Sequence, residues 1–174
     1  MLASGGSVLV LRSEFNATRA TEAVRAAMGE LKDMTPLYRD VVEYMIEATR
    51  QRFAKGIDPQ GNAWAPKKQS TLDRYKRLGY GNLRRVLVGP SRQLSRQIVG
   101  EATRSGAVIG SALIYSRVMQ EGAEKGEFGN DRRGRPVPWG KIPARVWLGM
   151  SPTDEQAVVE IVDEHLGGHL DGPG

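Results

Sequence analysis

At 174 residues the chain has the length of one ordinary domain, 1–174, and its 40% apolar content is enough to bury a core. It has no cysteine, which excludes disulfides, thiolate metal sites and a cysteine nucleophile, and no apolar run approaches the ~20 residues of a membrane span. The net charge of +5 hides an asymmetry: residues 65–104 carry 10 basic and 2 acidic side chains, whereas 150–174 carry 6 acids and no Lys or Arg, a pattern that suits binding to nucleic acid or head-to-tail contact between identical chains.

In chain order, the N-terminus has no basic region ahead of its short apolar run. Val8 to Leu11 therefore reads as a strand and not as a signal peptide, and the chain is expected to be intracellular when synthesised. Asn16 or Thr18 can cap a helix over 17–32, with Ala20, Val24, Ala27, Met28 and Leu31 on one face. Thr35-Pro36 supplies a cap-plus-proline start for a second helix, 35–55, whose apolar stripe is Leu37, Val41, Tyr44, Met45, Ala48 and Phe53. Lys55-Gly56 closes it, with glycine at the left-handed cap position. Ile57 to Trp64 is built from turn formers: Asp58 to bond nearby backbone, Pro59 to preset φ, and Gly61 for positive φ. Trp64 is expected to pin this loop onto the domain. A short helix with Leu72, Tyr75 and Leu78 follows, ending at Gly79.

From Leu94 the period changes to two, which predicts a strand through Glu101, a turn at Arg104-Ser105-Gly106 and a returning strand over Ala107 to Ile109. A helical turn or two should follow Gly110-Ser111 and stop at Gln120-Glu121-Gly122. Residues 121–141 hold five glycines and two prolines without a sustained period, and are expected to extend from the body and order against a partner. Ile142 to Pro152 then reads as a strand-turn-helix junction: Pro143 straightens the backbone before Val146, Trp147 and Leu148, Gly149 turns it, and Ser151-Pro152 starts a helix over 152–166. Arg145 is expected to point outward from this junction, and 167–174 to form a flexible tail. The fold class is therefore α+β, a small antiparallel sheet packed against helices with a long extended loop.

Chemistry-bearing constellations are few. His165 and His169 are four apart, but Gly167-Gly168 between them should end the helix and no third ligand is evident, so no metal site and no cofactor are expected. Gly126 and Gly129 lack the strand and helix of a nucleotide loop, and two histidines without cysteine leave no nucleophile-base pair, so no catalytic set is expected. The basic block, with Lys67, Lys68, Arg74, Lys76, Arg77, Arg84 and Arg85 around Tyr75 and Tyr80, is the nucleic-acid candidate, with a solvated or subunit-facing surface as its alternative.

One order of motifs runs through most of the chain: Arg52-Phe53-x-x-Gly56-x-Asp58-Pro59-x-Gly61-x-x-Trp64-x-Pro66, then Thr71, a hairpin, Tyr115, Gln120-x-Gly122, and Ile142-Pro143-Ala144-Arg145-x-x-Leu148-Gly149-x-Ser151. It resembles the phage virion morphogenesis family, the tail completion and Mu-like neck proteins of tailed phages. Members often carry His-Gln where this chain has Met119-Gln120. The resemblance implies a non-enzymatic virion component, made in the host cytoplasm. It would act as a homo-oligomeric ring, six-fold by analogy with tail-end rings, at the head-tail junction or head-proximal tail end. Its partners would be other copies of itself, adjoining neck or tail-tube proteins, transiently the passing DNA, and no membrane. Candidate partner-binding residues are Asp58, Trp64, Gln120 and Arg145 of the motifs and Arg132, Arg133, Arg135 and Trp139 of the loop. The alternatives are a basic nucleic-acid-binding module and a transient assembly factor.

Overall fold

The computed structural model describes residues 33–170, so the strand expected at 8–11 and the helix expected at 17–32 lie outside the described residues. Five helices and a two-stranded antiparallel sheet make up the described α+β fold: α1 (Thr35–Lys55), α2 (Gln69–Arg77), α3 (Gln93–Arg96), β1 (Val99–Thr103), β2 (Gly106–Gly110), α4 (Ser116–Glu121) and α5 (Pro152–Leu170).

Helix α1 is the hub. Leu37, Val41, Val42, Met45, Thr49, Arg52 and Phe53 recur at helical spacing and are buried, so one face of α1 meets both strands, α3 and α5. Its start departs from the expectation. Thr35 is already helical, and the capping oxygen comes from Asp33, whose carboxylate accepts the Thr35 N–H at 3.0 Å. Its end is as expected: Gly56 takes φ 76° and its N–H reaches Arg52 O at 2.7 Å.

The hairpin pairs Val99 with Gly110 through Thr103 with Gly106, leaving Arg104 and Ser105 as a two-residue turn. Its approach to α1 is close: a Cβ on Gly100 would sit 2.5 Å from Val42 Cγ1. The strand expected from Leu94 starts only at Val99. Leu94 and Ile98 both enter the core while Arg96 stays exposed, so the apolar spacing is four and a turn of helix satisfies it. A period of two would have buried Arg96 between them, at the cost of a desolvated cation.

Residues 121–141 are also not structureless. Ala123 and Ile142 exchange both backbone hydrogen bonds at 2.9 and 2.8 Å, Phe128 N–H donates to Val137 O, Val137 N–H to Gly129 O, and Asp131 N–H to Arg135 O. The segment is thus an irregular hairpin arm closed on itself, with isolated bridges and no continuous ladder. Gly122 sets its root with φ 81° and ψ −174°, a region open essentially to glycine, and a Cβ there would lie 2.7 Å from both Ile142 O and Ala144 N. Gly122→Ala is expected to cost about 2–4 kcal/mol from backbone strain and overlap together, read as a lowered urea midpoint. A wild-type midpoint would show that the arm root relaxes freely.

Residues 143–148 form no strand, which corrects the expected strand at Val146–Leu148. Their backbone polar groups are bonded by side chains from elsewhere. Gln120 Oε1 accepts the N–H groups of Trp147 and Leu148 at 2.9 and 3.1 Å, and its Nε2 donates to Leu148 O at 2.8 Å. Trp64 Nε1 donates to Val146 O at 2.8 Å. These bonds satisfy groups that a neighbouring strand would otherwise have to meet. Trp147, with no exposed surface, lies beside Phe53, which also meets Trp64 edge-on, with ring centroids 5.9 and 5.3 Å apart. Helix α5 runs to Leu170, four residues beyond the expected end, so Gly167 and Gly168 do not stop it.

Candidate functional site

Three assemblies stand out: the arm, the groove at its base, and the junction that seats α5. On the arm, Asp131 organises the tip. Its carboxylate accepts the N–H groups of Arg133 and Arg135 at 2.8 and 3.0 Å and pairs with the Arg135 guanidinium. The Arg135 side chain, then these amides, holds the Asp131 carboxyl below the usual carboxylate range. Arg135 in turn lies over the Trp139 ring, 4.8 Å from its centroid. Arg132, Arg133 and Phe128 are exposed, and Trp139 is 65% exposed, so the arm presents cations and aromatic surface together.

The groove lies between α2, the 87–94 segment, α4 and the arm base, and encloses about 690 Å³. Leu94, Met119, Ile142 and Pro143 line it alongside four cations, Lys67, Lys68, Lys141 and Arg145, and no carboxylate. Three of those cations, Lys67, Lys68 and Arg145, are bonded to carbonyls, and the fourth, Lys141, pairs with the exposed Glu124 carboxylate. Lys67 Nζ donates to Leu83 O and Val88 O, both at 2.7 Å, and sits 4.9 Å from the Tyr75 ring centroid. Burial, and then the neighbouring Arg145 charge, pushes the Lys67 amine below its usual value. Arg145, 9% exposed, donates from Nε to Ala65 O at 2.7 Å and from Nη2 to Pro66 O at 3.1 Å. The expectation that Arg145 is free to bond outward is therefore corrected. The acceptors that meet its buried guanidinium are the backbone carbonyls of Ala65 and Pro66. Burial alone lowers its pKa.

Of the other expected partner-binding residues, Asp58 is turned to its own loop, accepting the N–H and Nδ2 of Asn62 at 2.8 and 3.1 Å. Trp64 and Gln120 are committed to the 146–148 backbone. Arg132, Arg133, Arg135 and Trp139 are brought together on the arm. In the basic block, Lys68 Nζ donates to Lys141 O, Arg84 to Asn82, and Arg85 to Ala54 O, while Arg74, Lys76 and Arg77 face solvent on α2.

The junction contains a constellation that the sequence reading missed. Ser151 and Asp154 form a reciprocal cap. The Asp154 N–H donates to Ser151 Oγ at 3.1 Å, and Asp154 Oδ2 accepts the Ser151 N–H and hydroxyl at 2.7 Å each. The same carboxylate pairs with Arg52, whose Nη1 donates to Gly149 O at 2.8 Å, and accepts the Tyr44 hydroxyl at 3.2 Å. Burial, then the Asp154 charge, raises the Tyr44 pKa. Arg52 and Asp154 are 6% and 4% exposed. Two signals pointed here: an acid three residues after a serine cap, and an arginine within the apolar stripe of α1, where burial demands a counter-charge.

Among the described residues no helix is long and apolar enough to cross a membrane, and no group of three His, Cys, Asp or Glu side chains is placed to hold a metal ion. His165 Nδ1 lies 3.7 Å from Asp40. No curated protein and no solved structure matches the chain. The model of one family does match, over residues 15–167 and thus across the described elements up to the last turn of α5, and the chain belongs to that family, the phage virion morphogenesis family.

Proposed function

We propose that this virion assembly protein is a structural component of a tailed phage. It forms a homo-oligomeric ring at the head-tail junction or the head-proximal end of the tail, in the role of tail completion or head-tail joining. The observation that carries this reading is the arm: a self-closed hairpin whose exposed face holds Phe128, Trp139, Arg132 and Arg133. Aromatic surface exposed beside a preorganised cationic turn is characteristic of an interface awaiting its partner. The partner is a neighbouring subunit or an adjoining neck or tail-tube protein. Heterologous contacts of this kind close into rings when the rotation allows, and six subunits is the proposed number.

Imaging particles from a phage that carries Trp139→Ala, Arg132→Ala and Arg133→Ala tests the reading. The expected result is unjoined heads and tails, from a protein whose folding stability stays within about 0.5 kcal/mol of wild type because all three side chains are exposed. Normally joined particles would overturn it, as would locating the wild-type protein away from the junction. A second reading, a basic nucleic-acid-binding module, is favoured by Arg74, Lys76 and Arg77, which face solvent on α2 beside a single acid, Asp73. It requires DNA affinity that falls by roughly one logarithmic unit of slope per phosphate contacted as salt rises.

A further inference from the structure

The groove is a cationic cavity with an apolar floor and no carboxylate among its lining residues; at its rim Lys141 pairs with the exposed Glu124, a contact that an incoming carboxylate can replace, and the same chain carries the complementary surface elsewhere. Helix α5 packs on α1 and contributes no residue to the groove. Glu155, Val159 and Asp163, spaced by four, form one exposed outer stripe of α5 with an apolar residue between two carboxylates. Residues 150–174 carry no Lys or Arg to neutralise that stripe. We infer that the groove between α2 and the arm base receives the outer stripe of α5 from a second copy of this chain. This inference rests on the ring reading and specifies its subunit contact.

The chemistry matches on both sides. Val159 would cover the floor near Met119, Ile142 and Pro143, and the flanking carboxylates would face Lys68 and Lys141 at the rim. Arg145 contributes from below, since among the described residues its buried charge meets carbonyl oxygens and gains from an approaching carboxylate. A phosphodiester backbone would use the cations and leave the apolar floor uncovered, which is why an acidic helix with a central valine fits better. The groove and the stripe occupy different surfaces, so the contact is heterologous and propagates from copy to copy.

Charge reversal on the full-length protein tests this, with sedimentation velocity reading assembly and circular dichroism reading folding. Lys68→Glu with Lys141→Glu, and separately Glu155→Lys with Asp163→Lys, alter only exposed side chains; the first pair also gives up the surface contacts of Lys141 with Glu124 and of Lys68 with Lys141 O, which the fourfold variant and the mixture control for. Each pair is expected to weaken self-association by on the order of a hundredfold through like-charge contact while leaving the fold intact. The protein carrying all four changes should assemble again, and so should an equimolar mixture of the two pairs, because each then meets an opposite charge. Unchanged assembly of either pair overturns the inference, as does failure of both the fourfold variant and the mixture. A wild-type protein that stays monomeric in solution and in the particle overturns the ring reading together with it. If the ring is seen in the particle while the charge pairs are without effect, the inference alone falls. Loss of salt-dependent oligonucleotide binding in Lys68→Glu with Lys141→Glu, with assembly unchanged, would assign the groove to nucleic acid instead.

Discussion

Trp147→Ala is expected to lower the unfolding free energy by about 3–5 kcal/mol, a large share of the total for a domain of this size. The indole has no exposed surface and lies in the cluster that joins α1, the hairpin and α5 through Phe53, Met45, Ile109, Val158 and Ile161. Its removal leaves a cavity that the surrounding backbone cannot close, because residues 146–148 are tied to Gln120 and Trp64. It also strips Ser116 O of the Nε1 donor 3.2 Å away, in a buried place. Trp147→Phe keeps most of the ring volume while losing the donor and the remainder of the indole, at about 1–3 kcal/mol. Urea denaturation of both variants gives the comparison, and equal costs would mean that the Ser116 bond and not the packing decides.

Much of this core is legible in the sequence, because the features involved are local. The apolar stripe from Leu37 to Phe53, the glycine after Lys55, the Asp58 loop and the hairpin turn at Arg104-Ser105 each follow from spacing or from residue chemistry within a few positions. What local pattern does not reveal is where a backbone segment finds its hydrogen bonds. Val146 to Leu148 has the composition of a strand, yet a glutamine 27 positions from Trp147 and a tryptophan 82 positions from Val146 occupy its polar groups. The inward turn of Arg145 has the same origin: its acceptors, Ala65 O and Pro66 O, lie about 80 residues earlier, across a loop contact that no periodicity encodes. Leu94 and Ile98 show a different failure, in which a four-residue apolar spacing and a two-residue one coincide and only the exposure of Arg96 distinguishes them. The candidate site was legible where it is exposed, on the arm, and illegible where it is a cavity between four segments.

Asp154→Ala is the second large effect, expected to cost about 3–5 kcal/mol because it leaves the Arg52 guanidinium buried without a counter-charge. The loss is wider than one ion pair. Ser151 forfeits the acceptor for its N–H and hydroxyl, and the Tyr44 hydroxyl loses its partner. Arg52→Ala exposes the mirror problem, a buried carboxylate still capped by Ser151, and also frees Gly149 O. The two side chains act as one unit, so the double variant should cost less than the sum of the singles, with a coupling of about 2–3 kcal/mol in a double-mutant cycle. Additive costs would mean that the pair is incidental to the seating of α5. The carboxylate fixes both the cap of α5 and its position on α1, and therefore the direction in which Glu155, Val159 and Asp163 are presented. Variants of this pair that still fold should assemble less well than their stability alone explains, and Val162→Ala, which loosens α5 against Leu37 without touching the cap, supplies the matched comparison.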